Sequence, residues 1–81
     1  MNTGNLAHLE WSLVQTFIAV ADEGSLTGAA KRLGQSQPTI GRHIARAEEV
    51  LGVALFTRAR RGLELTDVGT AILPAARDMA A

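Results

Sequence analysis

SLTGAAKRLGQSQPTIGRHIARAEEVL, residues Ser25–Leu51, is the stretch whose reading decides the fold. Ser25 is a helix-capping residue, and the run after it places Leu26, Ala30 and Leu33 on one side of a short helix. Ala29 and Ala30 are small enough to let another helix cross closely. Gly34 suits the left-handed backbone of a tight turn. Ser36 caps a second, longer helix, with Pro38 in its first turn, where a missing N–H costs nothing. At 100° per residue, Ile40, Ile44, Ala47 and Leu51 fall within an arc of about 60°, a core-facing stripe. Pro38, Gly41, Arg42 and Ala45 take the other side, a low-bulk face that can approach another surface closely. Short helix, turn and longer helix predict a helix-turn-helix over residues 26–45 or so, a motif that lays its second helix in the DNA major groove.

Working outward, Glu10 to Ala21 reads as an amphipathic helix with Leu13, Val14, Phe17, Ile18, Val20 and Ala21 apolar. Asp22-Glu23-Gly24 is expected to end it. Beyond the motif, Gly52 stops the longer helix. Val53–Thr57 can form a short strand, Arg58–Gly62 a basic turn, and Leu63-Glu64-Leu65 a return strand. Two short strands after a reading helix make a wing. Thr66 caps a last helix, with Asp67 against its N-terminal dipole and Pro74 expected to bend it. The fold class is therefore all-α with a small two-stranded wing: a winged helix-turn-helix over 9–66, followed by a linker helix over 67–81. Residues 1–8 are polar and expected to fray.

The formal net charge is zero, but its distribution is uneven. Residues 31–62 carry Lys31, Arg32, Arg42, Arg46, Arg58, Arg60 and Arg61 against Glu48 and Glu49, a net +5. Residues 1–30 are −3 and residues 63–81 are −2. Positive charge gathered around one candidate reading helix points to a nucleic-acid partner. With Trp11, Phe17 and Phe56 as the only aromatics, a single-strand stacking platform is disfavoured. No cysteine is present, so no disulfide scaffold is possible. No apolar run approaches the roughly 20 residues of a membrane span. The first residues lack the basic and apolar regions of a secretory signal, and a cytoplasmic, nucleoid-associated location is expected.

Individual residues carry a functional reading and a plainer one. The Gln37 amide can pair with adenine in two places, or simply be solvated in a first turn. Arg42 can clamp guanine or a phosphate. Pro38 and Thr39 can touch a thymine methyl or a phosphate, although Pro38 is equally explained as a helix starter. Ser25, Thr27 and Ser36 stand at helix N-termini, where hydroxyls suit phosphate as well as capping. Arg46, Arg58, Arg60 and Arg61 are backbone candidates, with Arg60 and Arg61 alternatively a solvated cluster. His43 is placed near the DNA backbone or in solvent. His8 and His43 lie on separate elements without clustered carboxylates, so no metal site is expected. No nucleophile–base spacing is recognisable, and 81 residues leave little room for a substrate pocket, so neither catalytic residues nor a cofactor is expected. On the last helix Ile72, Leu73, Ala76 and Met79 form an apolar face that is either core or a contact with a second subunit, and the second subunit is favoured because a small domain has little core left to offer that helix. Trp11 is read as a packing residue near the first and last helices and as a further part of that interface.

The motifs Phe17–Ser25 (FIAVADEGS), Ala29–Leu33 (AAKRL), Ser36–Thr39 (SQPT), Arg42–Ile44 (RHI), Glu48–Val53 (EEVLGV), Leu55–Arg58 (LFTR), Arg61-Gly62 and Leu65-Thr66 together resemble the N-terminal domain of the LysR-type transcriptional regulators of bacteria. The resemblance covers nearly the whole chain from about Leu9. It implies a homodimer on an interrupted palindrome in double-stranded promoter DNA, with a tetramer as the alternative assembly of a full-length regulator. It implies Arg58 as a minor-groove or phosphate contact. It also implies a C-terminal domain that binds a small-molecule effector; that domain is absent from this sequence, so a DNA-binding domain is expected here. Serine is common in that family at the place of Gly41, leucine at the place of Ala47, and a bulkier residue at the place of Gly28. The rival reading is a winged-helix protein-interaction module that binds no DNA. An interaction surface more often shows aromatics and few charges at its centre, which the basic segment contradicts.

Overall fold

The computed structural model describes residues 9–80. Four helices and one hairpin follow in the order α1 (Trp11–Glu23), α2 (Leu26–Leu33), α3 (Gln37–Leu51), β1 (Phe56–Ala59), β2 (Gly62–Leu65) and α4 (Asp67–Ala80). The last three helix starts are set by hydroxyls. Ser25 Oγ accepts the Gly28 N–H (3.0 Å), Ser36 Oγ the Thr39 N–H (3.2 Å) and Thr66 Oγ1 the Gly69 N–H (3.0 Å). Each satisfies one of the orphan donors of a helix's first turn. Gly24, Gly34 and Gly52 close α1, α2 and α3 in left-handed backbone. At Gly34 (φ 67°) this reverses the chain within the two residues Gln35 and Ser36, bringing α3 across α2. α1 runs two residues past the expected end at Ala21, because Gly24 is the first position where the chain leaves helical geometry.

Two apolar clusters hold these elements. One joins Leu13, Val14, Phe17 and Ile18 of α1 to Ala47 and Leu51 of α3, Leu55, and Ala76 of α4. The other packs Ala19 and Val20 of α1 against Ala29 and Ala30 of α2 and Ile40 and Ile44 of α3. The Phe17 and Phe56 rings meet edge to face at 5.6 Å and fasten the hairpin to α1. The α3 stripe is buried as expected. In α2 the buried pair is Ala29 and Ala30, while Leu26 and Leu33 lie half-buried at its rim.

Four expectations need correction. β1 begins at Phe56, not Val53. Glu48 Oε2 accepts the Leu55 N–H (2.7 Å) and the Phe56 N–H (3.3 Å), and the Leu55 carbonyl accepts the Thr66 N–H (3.0 Å). The segment before Phe56 is thereby held by α3 and the start of α4, and pairing with β2 begins only at Phe56↔Leu65. The wing turn is correspondingly short: Arg58 and Ala59 belong to β1, and only Arg60 and Arg61 turn. Ala76 takes the core alternative and not the favoured partner one: it is fully buried within this chain. Trp11, read as a packing residue, is 48% exposed. The expectations for residues 1–8, His8 included, and for Ala81 lie outside the described residues. α4 continues through Pro74 to Ala80.

Candidate nucleic-acid interface

The start of α3 and the start of α2 are adjacent, and their side chains form a linked hydroxyl network. Thr27 Oγ1 donates to Gln37 Oε1 (3.1 Å). Ser36 Oγ donates to Thr39 Oγ1 (2.8 Å), and Arg42 Nη2 donates to the same oxygen (3.0 Å). Gln37, Pro38 and Arg42 are exposed, with Thr39 and Gly41 half-exposed beside them. The proposed reading residues thus share one end of one helix. Gly41 stands at the margin of that surface: a Cβ built on it would lie 3.9 Å from Leu26 Cδ1, in ordinary contact with α2.

A hydroxyl has one hydrogen, and this limits what each cap residue can offer. The hydrogens of Thr27 and Ser36 are directed to Gln37 Oε1 and Thr39 Oγ1. Ser25 Oγ accepts from Gly28 and keeps its own hydrogen to give. Thr39 accepts twice and likewise retains its own.

His43 is tied to the first helix through one ring nitrogen. Its Nδ1 lies 2.9 Å from Oγ1 of Thr16, a buried residue of α1. Thr16 already donates to the Ser12 carbonyl (2.9 Å), so the hydrogen between Thr16 and His43 belongs to Nδ1. His43 is half-buried and fastens α3 to α1 through that nitrogen. Sequence reasoning missed Thr16; the available signal was a hydroxyl on the apolar face of the first helix.

The hairpin projects Arg58, Arg60 and Arg61, all exposed. Its base is pinned by the Leu63 N–H donating to the Gly24 carbonyl (3.0 Å). Gly62, at φ 135°, passes so close to that carbonyl that a Cβ would overlap it. Among the described residues, three acids pair with cations, Glu23 with Arg32 at 3.6 Å. Asp22 binds Arg77 (2.5 Å) and Arg32 (2.8 Å), and Glu49 binds Arg46 (2.6 Å). The Arg77 guanidinium first, then that of Arg32, holds the Asp22 carboxyl below the usual carboxylate range. Lys31, Arg42, Arg58, Arg60 and Arg61 form no ion pair among the described residues, so the unneutralised positive charge sits on α2, the start of α3 and the wing. The Arg46–Glu49 pair is exposed on both sides and contributes little, so Arg46 can exchange its partner.

On α4, Ile72 and Leu73 are half-buried and pack against the core, while Met79 is 41% exposed. Trp11, Gln15, Ile18, Arg32, Leu33 and Ala80 line a shallow groove where the start of α1 meets the end of α4. No helix among the described residues is long and apolar enough to cross a membrane.

Helices α2, α3 and α4 packed against α1, with a hairpin pinned beside them, define a winged helix-turn-helix. The chain belongs to the lysR family of bacterial regulatory helix-turn-helix proteins, whose family model matches residues 11–70. It is 51% identical over 69 residues to the transcriptional regulator ClcR of Pseudomonas putida, covering 85% of this chain and 24% of ClcR. The crystal structure of the CbnR DNA-binding domain in complex with DNA superposes with a TM-score of 0.85 at 46% identity, covering 89% of this chain and 83% of that one. The BenM DNA-binding domain bound to benA site 1 DNA gives a TM-score of 0.84 at 33% identity, covering 89% of this chain and 84% of that one. The chain spans about a quarter of the length of the curated relatives it matches.

Proposed function

We propose that this chain is the DNA-binding domain of a LysR-type transcriptional regulator, and that it binds duplex DNA sequence-specifically from the cytoplasm. α3 enters the major groove and the wing lies along the backbone or minor groove. The observation that carries this reading is the joint placement of Gln37, Pro38, Thr39 and Arg42 at one exposed helix end, flanked by Lys31, Arg58, Arg60 and Arg61, which like Arg42 have no ion-pair partner among the described residues. Base edges give specificity there; Ser25, Arg46, Arg58, Arg60 and Arg61 hold phosphates and fix register. The relatives crystallised on DNA support the same mode. A protein-docking role is disfavoured by the charge at the centre of the surface.

The promoter site is an interrupted palindrome and the acting unit a homodimer, since two-fold symmetry places two reading helices on successive turns of one DNA face. Trp11 and Met79 are the exposed apolar residues on the proposed dimer side, with Ile72 and Leu73 behind them. A full-length regulator, whether dimer or tetramer, would take its effector through a separate domain. Selection from a random duplex library tests the function: a dyad-symmetric consensus is expected, and an unenriched pool would reject it.

A further inference from the structure

We propose that Thr27 and Ser36 act as positioning residues that make the exposed end of α3 a donor-only face, so that it reads base acceptors, with guanine first among them. The inference rests on the duplex-binding reading above and adds which bases are read. Four observations lead to it. Thr27 Oγ1 holds Gln37 Oε1 at 3.1 Å. The Gln37 amide therefore turns its acceptor towards α2, and both Nε2 hydrogens remain without a partner among the described residues. Ser36 Oγ accepts the Thr39 N–H and spends its own hydrogen on Thr39 Oγ1. Arg42 gives a second hydrogen to that oxygen, so the Thr39 hydroxyl hydrogen points away from both donors.

The groups this leaves directed outward are the Gln37 NH2, the Thr39 O–H and the remaining N–H groups of Arg42, all donors. Pro38 has no N–H and the Gly41 side adds no polar group. In the major groove guanine offers two acceptors, O6 and N7, and thymine offers O4. Cytosine presents a donor, and adenine a donor beside its N7. The two-point glutamine–adenine pairing needs Oε1 to face outward beside Nε2, and the bond from Thr27 turns that oxygen towards α2. Gln37 thus acts through its NH2 alone.

The test uses this chain and a random duplex library, followed by base analogues in the recovered site. Within each half-site, the position whose preference is lost in Gln37→Ala is expected to carry guanine, or thymine contacted through O4. Where it is guanine, 7-deazaguanine, which lacks the N7 acceptor, weakens binding by about 5- to 100-fold. Inosine keeps N7 and O6 and leaves it unchanged. Gln37→Glu, close in shape but carrying only acceptors, moves the selected base to cytosine. Thr27→Val frees the amide to turn and admits adenine at that position; Thr27→Ser keeps the wild-type preference. Circular dichroism checks the fold of each variant, and the exposed Gln37→Glu carries the test alone if Thr27→Val does not fold. Adenine at the Gln37 position, with binding lost when its N6 amine is removed and unaffected by Thr27→Val, would overturn the donor-only face while leaving sequence-specific binding intact. A wild-type chain that enriches no sequence would overturn the functional reading itself.

Discussion

At the scale of single residues, what matters is the direction of each hydrogen bond. Ser25, Thr27, Ser36 and Thr39 look alike in sequence, as hydroxyls near helix starts, yet they fall into two kinds. Ser25 and Thr39 keep a hydrogen to give, while Thr27 and Ser36 use theirs to orient neighbours. Gln37→Ala or Arg42→Ala is expected to cost about 1–3 kcal/mol of binding and to relax preference at one base pair. Arg58→Ala, in the wing, is expected to weaken all duplexes evenly. Competition binding against a panel of single-base variants separates the two, and an unchanged panel for Gln37→Ala would move the reading face elsewhere. The capping residues were legible because capping is local and depends on residue type within three positions. The partners were not: Thr27 and Gln37 are ten residues apart, Thr16 and His43 twenty-seven, and no local rule joins them.

At the scale of elements, the chain is held by a few long-range ties. Asp22, at the end of α1, bonds Arg32 of α2 and Arg77 of α4 and so joins three helices. Its folded pKa is depressed, chiefly by Arg77 and then Arg32. A depressed carboxyl contributes stability that is present above its unfolded pKa and is lost as pH falls through the folded value. Asp22→Asn is therefore expected to lower Tm modestly at pH 7, with the gap to wild type closing below the ordinary carboxylate range. Thermal melts between pH 7 and pH 2 check this; a gap that stays constant across the series would rule out the carboxylate as its source. Helix positions were readable from apolar spacing and caps. The start of β1 was not, because Glu48 takes the Leu55 N–H seven residues away and delays pairing. The apolar face of α4 was legible as apolar, but spacing could not divide it between core and partner. Ala76 faces the core, and Met79, three residues on, does not.

At the scale of the molecule, two surfaces of the described residues matter for the proposed function. One is basic and ends α3, α2 and the wing. The other is apolar, with Trp11 and Met79 exposed beside the groove between α1 and α4. A dimer through the second would set two copies of the first on one side of a palindrome. Met79→Glu is expected to shift the monomer–dimer equilibrium towards monomer, and to weaken full-site binding more than half-site binding. Sedimentation with and without a palindromic duplex checks this, and equal dimer populations in wild type and variant would place the interface elsewhere.

The overall charge of zero conceals this arrangement, and only its distribution along the chain discloses it. The claim that the basic surface binds DNA while the end of α3 reads sequence has two separable parts, and both appear in one measurement. That measurement is the affinity for a selected duplex and for a scrambled duplex of the same length, across a salt series. For both, log affinity is expected to fall linearly with log salt, with a slope of about −0.9 per phosphate neutralised. The selected duplex is expected to stay tighter throughout. A flat salt response, or equal affinity for the two duplexes at every salt concentration, would contradict the account.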